Sequence, residues 1–344
     1  MLDFENLKII TTKKEWNEVL KAMEAFDFYH TYDYHQLSLN PHEKAVLIYY
    51  TENTLKIALP LIIRPIENST YKDATSVYGY AGPIQSRDGV TLTNTSHFKK
   101  ALDNYFDSEG IISVFSRLNP YIKSQPMLLD GIGEILTLSH VVNIDLTLDL
   151  DSQRALFSKT TKRYLNKARK LLDIKISNNP NDIKEFIDLY YQNMDRVNAK
   201  DLYYFEAYYF YKFVSSQDFK TEVVFAVEKA TQKIVSAAMM VKTNKIIQYH
   251  LSGTKNEHLN LSPIRLIIDE TRIKGTQEQF THFNLGGGLG NQDDELFKFK
   301  ASFSKDFKSF KVWKYITNNE VYNQLVKETD GDKSSNFFPL YRLK

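Results

Sequence analysis

Two stretches far apart in the chain carry the same run of elements, and this repetition restricts the fold more than any single motif does. In the first, Thr12 and Glu15 form a capping box, and Trp16, Val19, Leu20 and Met23 follow at helical spacing. AVLIYY, the turn TENT and LKIALPLIIRP then predict a hairpin, and SVYGYAGPI predicts a third strand that ends at Gly82 and Pro83. A helix around His97–Tyr105 and the strand IISVFSRLNPY, with Arg117 near its end, follow. In the second stretch a helix with Asn181 as cap buries Ile183, Phe186, Ile187, Tyr190 and Met194, and EVVFAVEKATQKIVSAAMMVKTNKIIQYHLSG gives three strands joined by polar turns. Ser262 and Pro263 start a helix that faces Ile264, Ile267, Ile268 and Thr271 inward, Gly275 stops it, and the strand THFNLGGG follows. Both stretches thus read helix, hairpin, aromatic strand ending in glycine, helix, strand, with YGYAG and QYHLSG in matching places. Residue identity between them is slight, so the pattern alone points to duplication.

Size agrees with a duplicated chain. At 344 residues, 42% hydrophobic and 25% charged, the chain exceeds one ordinary core, and two domains are expected. FYHTYDYHQL reads as an aromatic-rich helix packed on the first half, and VVNIDLTLDL, alternating at period two, closes that half. Boundaries of 1–150 and 151–315 follow. With no cysteine, disulfides, thiolate metal sites and cysteine nucleophiles are excluded. The histidines form no His-Glu-x-x-His motif and thiolates are absent, so neither a metal nor a cofactor is expected. MLDFENLKII lacks the pattern of a signal peptide, and the longest apolar run, Ile57–Ile63, is too short to span a bilayer, which leads us to expect a cytoplasmic protein. A net charge of +2 gives no global attraction for nucleic acid, so any such partner needs a local patch.

Two local patches exist. FSKTTKRYLNKARKLL predicts a helix bearing Lys159, Lys162, Arg163, Lys167, Arg169 and Lys170, which is either a solvated face or a phosphate-contacting one. The second lies in FNLGGGLGNQDDELFKFKASF and just beyond it, where Gly286, Gly287, Gly288 and Gly290 permit a close backbone approach. After these glycines, Leu296, Phe297 and Phe299 alternate with Lys298 and Lys300, and Lys305, Lys308, Lys311 and Lys314 continue the basic series. By residue type alone Lys300 reads as a surface lysine on an edge strand.

The glycine stretch resembles the C-terminal signature of the Fem-type aminoacyl-tRNA-dependent peptidyltransferases, relatives of the GNAT acyltransferases: an Asn-x-Gly-Gly turn, a polar insert, then Leu296, Phe299, Lys300 and Phe303 as Leu-x-x-Phe-Lys-x-x-Phe. FYHTYDYHQL, YGYAGPI, RLNPY, FSKTTKRYLNKARK, YQNMDRV and YHLSG extend the resemblance over nearly the whole chain. It implies an α/β (α+β) protein of two tandem GNAT-like acyl-CoA N-acyltransferase folds, each a mixed sheet flanked by helices, with the tail 316–344 returning to the first domain. It also implies an acyltransferase moving an aminoacyl group from aminoacyl-tRNA to an amine of a small or lipid-linked cell-envelope precursor of the peptidoglycan type, with peripheral membrane association compatible. Lys300 would act on the oxyanion or ester oxygen, and His250 is a candidate base. Gly286, Gly287, Gly288, Lys298, Lys305, Lys308 and Lys167 would hold the donor, while Tyr78, Tyr80, Arg117 and Arg196 would hold the acceptor. Between Gly253 and Gly275 the chain has no glycine, where a CoA-using GNAT domain carries a glycine-rich pyrophosphate loop. Two alternatives stay open: an N-acyltransferase fed by acyl-CoA or an acyl carrier protein and acting on an amino sugar or amino lipid, and a non-catalytic module that binds envelope precursors.

Overall fold

The computed structural model of the protein describes residues 6–86, 92–329 and 335–343. In chain order the strands are β1 (Leu7–Ile10), β2 (Lys44–Glu52), β3 (Leu55–Pro65), β4 (Lys72–Thr75), β5 (Ile84–Gln85), β6 (Ile111–Arg117), β7 (Glu134–Asp145), β8 (Leu172–Ile176), β9 (Lys220–Glu228), β10 (Ile234–Thr243), β11 (Ile246–Thr254), β12 (His282–Gly286) and β13 (Asp306–Ile316). The helices are α1 (Lys13–Lys21), α2 (Tyr32–Leu37), α3 (Leu92–Ser108), α4 (Gln125–Leu128), α5 (Leu150–Ala155), α6 (Lys159–Leu171), α7 (Pro180–Arg196), α8 (Ala207–Val214), α9 (Pro263–Gln277), α10 (Glu295–Ala301) and α11 (Asn319–Glu328). The chain divides into two compact units, Met1–Leu138 with Ser309–Lys344, and Ser139–Lys308.

In the first unit the strands run in the order β1-β2-β3-β4-β6-β13, antiparallel except for the parallel pair β4 and β6. The second unit repeats that order as β8-β9-β10-β11-β12-β7, again with one parallel pair, β11 and β12. Each unit is therefore the mixed sheet with flanking helices that the sequence implies. In the first unit the last place is taken by β13, which follows the second unit in the chain. In the second it is taken by β7, which directly follows the first unit's β6.

Local chemistry explains the helices. Thr12 accepts from the Glu15 amide while its hydroxyl donates to the Glu15 carboxylate, and Trp16, Val19 and Leu20 are buried behind that box. Asn179, not Asn181, caps α7, because Pro180 fills the first helical position and leaves the Asn181 amide to be held by the Asn179 side chain. Gly275 does not end α9, which continues to Gln277. A Cβ there would lie 2.6 Å from Ile247 and 2.9 Å from Leu146, so this glycine serves packing rather than termination. The predicted strand SVYGYAGPI is mostly loop: β4 stops at Thr75, Gly79 and Gly82 take φ of 132° and 91°, and one bridge joins Ala81 to Leu118. The aromatic segment splits into a 3₁₀ turn, Phe28–His30, and α2, because Asp27 and His30 form a reciprocal cap. Helix α8 had no counterpart in the sequence reading.

Buried charge organises each unit. Asp73, fully buried in the first, receives Arg64, Arg342 and the Tyr341 hydroxyl, which ties the C-terminal residues to β4. In the second, buried Asp269 of α9 receives Arg272, Arg169 of α6 and Arg154 of α5, and Arg169 also pairs with Glu270. Part of the basic helix is thereby spent on structure.

His30 and His35 sit in the first unit at 0% exposure, and burial lowers their pKa from 6.5 to about 4 and about 3. The unfolded chain then binds protons that the native state refuses, so their stabilisation is complete above pH 6.5 and is lost as pH falls toward 4. Each is expected to cost on the order of 2 kcal/mol between pH 7 and pH 5. Urea unfolding at the two pH values should show the fall, and His35→Gln should flatten it; an identical pH slope in the variant would mean that His35 is not a buried neutral imidazole.

Candidate active site

β11 and β12 pair only where Ile246–Gln248 meets His282–Asn284. Beyond that point β11 keeps its ladder with β10 up to Thr254, whereas β12 ends at Gly286, so the two parallel strands part. The register on β10 slips between Met239 and Met240, which face Leu251 and Tyr249 and leave His250 as the extra residue of a bulge. Gly253 then abuts α7 so closely that a Cβ would stand 2.2 Å from the Leu189 carbonyl oxygen. Both features lie in the part of β11 that no longer pairs with β12. The last paired residues are polar and buried: the Asn284 amide donates to Gln248 at 2.8 Å and accepts from the Gly286 N–H at 2.9 Å. Asn143, beside Asn284 in register, donates to Asp306 at 2.7 Å.

The glycine turn begins where β12 ends. Gly286 has φ 79°, and a Cβ on Gly287 would come within 3.0 Å of the His140 carbonyl. At Gly288 a Cβ would lie 2.0 Å from the Gln292 carbonyl and 2.4 Å from the Asp294 carboxylate, so the turn folds onto Asp294 only because it has no side chain there. One oxygen of Asp294 accepts from the Phe297 N–H at 2.8 Å, as the N-cap of α10, and the other accepts from the Leu289 N–H at 3.0 Å. This carboxylate fixes the turn and starts the helix. The alternating pattern of residues 296–300 had pointed to an extended segment, but the Asp294 cap nucleates a helical turn instead. Lys300 consequently lies on a helix and is 7% exposed, not on an edge strand.

Lys300 Nζ donates to the Gly287 carbonyl at 2.6 Å, which leaves two N–H donors for an incoming oxygen. Desolvation pulls its pKa down to about 8, and the Asp294 charge opposes that fall. The lysine is therefore poised to change protonation near neutral pH.

The other expected residues fall in separate settings. Lys298 pairs with Glu295 at 2.8 Å, Lys308 pairs with Asp306 at 2.8 Å, and Lys305 donates to the Ala301 carbonyl at 3.1 Å. Lys167 is exposed on α6. The start of that helix meets the end of α10, where the Ser158 N–H donates to the Ser302 carbonyl at 2.9 Å, the Thr161 and Ser302 hydroxyls share a hydrogen bond of 2.8 Å, and Phe157 packs edge-on against Phe303. The basic helix and the Lys300 helix are thus neighbours. His250 stacks on Phe213 at 4.8 Å and its Nε2 lies 3.2 Å from the Tyr209 hydroxyl. Desolvation lowers its pKa to about 3, which makes it neutral at pH 7 and a weak proton acceptor. Arg196 closes the end of β11 by donating to the Thr254 carbonyl and Asn256.

In the first unit Arg117 lies over the Tyr78 ring at 5.1 Å, and Tyr80 packs edge-on against Tyr29 and Phe310. Tyr78 is 60% exposed, with its carbonyl accepting from the Tyr34 hydroxyl at 2.8 Å. An open concavity of about 640 Å³ lined by Ile176, Asn178, Val214, Phe219 and Glu222 contains none of the expected residues. Among the described residues no His, Asp and Glu side chains cluster as a metal site would require, and no helix is long and apolar enough to cross a membrane.

No protein-family model and no curated protein matches the sequence. Solved structures do. FemX superposes with a TM-score of 0.71 at 11% identity, over 92% of this chain and 99% of FemX. The chain has the FemX fold. The Fem-type architecture implied by the glycine stretch is thereby met at the level of fold. The same fold relates it to a conserved protein of unknown function from Bacteroides thetaiotaomicron (TM-score 0.59, 12% identity, 90% of this chain and 99% of that one). It is also similar to the C-terminal domain of a putative lysylphosphatidylglycerol synthetase from Agrobacterium fabrum (TM-score 0.56, 14% identity, 90% and 94%).

Sequence reasoning missed Asp294, although an Asp directly before ELFKFKA is a legible N-cap signal. Modification of Lys300 by an amine-reactive reagent, followed by mass spectrometry, should rise with a midpoint near pH 8. In Asp294→Asn the midpoint should move lower, since the opposing charge is gone. An ordinary lysine titration near 10.5 would show that Lys300 is not desolvated.

Proposed function

We propose that the protein is an acyltransferase that moves an aminoacyl group from aminoacyl-tRNA to an amine of a cell-envelope precursor. The observation that carries this reading is Lys300, a desolvated lysine tethered to the glycine turn at the mouth of a parted parallel strand pair. FemX and the putative lysylphosphatidylglycerol synthetase domain share the fold, and the latter is named for the synthesis of lysylphosphatidylglycerol. In the proposed reaction the acceptor amine attacks the ester carbonyl and its nitrogen loses a proton. The tetrahedral oxyanion forms against the free N–H donors of Lys300, the ester C–O bond breaks, and the departing ribose oxygen takes a proton from Lys300, which the proton released by the nitrogen restores. An amide and uncharged tRNA result. A lysine of pKa about 8 serves both demands, as a cation that stabilises the oxyanion and as an acid able to protonate the leaving alkoxide. The second unit holds the donor in this scheme, and Tyr78, Tyr80 and Arg117 of the first hold the acceptor. The segment between β11 and α9, a 3₁₀ turn over Asn256–Leu261, has no glycine-rich loop to take a CoA diphosphate, which favours tRNA over CoA.

Single-turnover transfer from purified charged tRNA tests the scheme. Lys300→Met should lower the rate by about two to three orders of magnitude, or roughly 3–4 kcal/mol of transition-state stabilisation, while tRNA affinity stays near wild type. The wild-type rate should also fall as pH rises through about 8, where Lys300 loses its proton, and Lys300→Arg should shift that limb upward. Transfer by Lys300→Met at the wild-type rate would remove Lys300 from the reaction.

A further inference from the structure

β8 is the outermost strand of the second unit and pairs with β9 along one side only. The Lys229 N–H donates to the Leu171 carbonyl at 2.9 Å and the Ser177 N–H to the Val223 carbonyl at 3.1 Å, and the register between them runs without a bulge. Bonded positions alternate in an antiparallel ladder, so Asp173 and Lys175 spend their main-chain groups on β9, whereas Leu172, Ile174 and Ile176 turn theirs away from it. The Leu172 N–H is taken by the Ala168 carbonyl at the end of α6. Among the described residues nothing is bonded to the outward amides and carbonyls of Ile174 and Ile176. Such edges are commonly guarded by a proline, a bulge or a lysine that repels a second strand. β8 has the lysine, but an acid stands two residues before it, and both side chains are exposed, Asp173 at 64% and Lys175 at 49%. Two copies of β8 can therefore match their charges while joining their outward groups, in one antiparallel register. Centred on Ile174, that register sets each Asp173 opposite the other copy's Lys175, whereas centring on Asp173 or on Lys175 opposes like charges. β1, the outer strand of the first unit, has no such match, since LKII paired with itself sets Lys8 against Ile9.

We propose that β8 is a homodimer edge, at which a second copy of this chain adds its own β8 antiparallel about a two-fold axis through Ile174. The two Ile174 residues exchange amide and carbonyl, and each Ile176 N–H donates to the partner's Leu172 carbonyl, about four inter-strand hydrogen bonds in all. Each Asp173 then lies between Lys229 of its own chain, 3.3 Å away, and the partner's Lys175, which is itself paired with an Asp182 at 2.7 Å. Signs alternate along that series, so the contacts form a network rather than isolated ion pairs. Leu172, Ile174 and Ile176 share the opposite face, where Ile174 meets its own copy and Leu172 meets the partner's Ile176. Leu171, 39% exposed, comes opposite the partner's Ser177, at the rim of the open concavity lined by Ile176, Val214 and Phe219. The proposal stands apart from the acyl-transfer reading and does not depend on it.

Sedimentation velocity of the full chain tests it. Wild type should pass from monomer to dimer between about 1 and about 100 µM, as suits a small interface. Asp173→Lys and Lys175→Asp each oppose like charges twice across the axis, and each should raise the dimer dissociation constant roughly 10-fold to 50-fold. Both positions are exposed, so the variants should melt near the wild-type temperature. Mixed in equal amounts, the two variants should dimerise again, because each substitution supplies the charge that the other requires. Ile174→Pro removes an outward amide and no bond to β9, and should leave a folded monomer; where that variant fails to fold, the mixing experiment decides alone. Wild type that stays monomeric at the highest concentration overturns the proposal. Single charge variants that dimerise as wild type does also overturn it, by placing the contact elsewhere, and a mixture no more dimeric than its components overturns the register on which it rests.

Discussion

An ammonium group that has lost most of its water must have its remaining partners fixed in advance, and around Lys300 that fixing falls to Asp294. The carboxylate holds the Leu289 amide of the glycine turn and the Phe297 amide of α10 together, so the Gly287 carbonyl and the Lys300 side chain belong to one hydrogen-bonded piece. The glycines are part of the same constraint. Gly288 yields the space that Asp294 occupies, and any side chain there would push the turn away from the helix cap. Lys300 can then be desolvated and still aimed, which a solvated lysine on a flexible stem cannot be.

The frame behind that piece is also electrostatic. Asp269 has no exposure, and the arginines of α5, α6 and α9 that surround it join three helices through one buried anion. Breaking such a cluster by removing the acid would leave arginines uncompensated, a far larger cost than the loss of an exposed ion pair. This explains why a helix as basic as α6 packs at all: Leu165 and Ala168 face the core, Arg169 is neutralised, and Lys167 stays outward. Among the described residues no carboxylate pairs with Arg265, which instead lies over the rings of Tyr164 and Phe299.

Strand parting distinguishes the two units more than strand order does. In the first, the gap beyond β4 and β6 is bridged again by Ala81 and Leu118, with the Asn119 N–H on the Ala81 carbonyl and the Gln125 amide reaching the same oxygen. In the second, β11 and β12 stay apart beyond Gln248 and Asn284, and the glycine turn stands at the opening. The same topology thus yields a bridged seam in one unit and unpaired strand ends in the other. The Asn119 backbone and the Gln125 side chain at the start of α4 make the bridge.

Much of this architecture was legible in the sequence because periodicity reports which face of an element is buried. The hairpins, α1, α7, α9 and the duplicated order all follow from spacing, and the Fem-type phrases placed Lys300 beside the glycines. Errors arose where one contact overrides local preference. Gly275 reads as a stop but sits under Ile247, SVYGYAGPI reads as a strand but bends at two glycines of positive φ, and residues 296–300 alternate yet coil because Asp294 caps them. Burial was beyond reach in a different sense. A lysine, a histidine and an arginine look alike in sequence whether solvated or not, and only the packing of α6, α8, α9 and α10 brought the Lys300 pKa down to about 8, made His250 neutral and left the Arg265 Nε without a hydrogen bond. By itself the sequence determined the order of elements and the residues available for chemistry. Tertiary structure decided their charge states, because desolvation depends on neighbours that are distant along the chain.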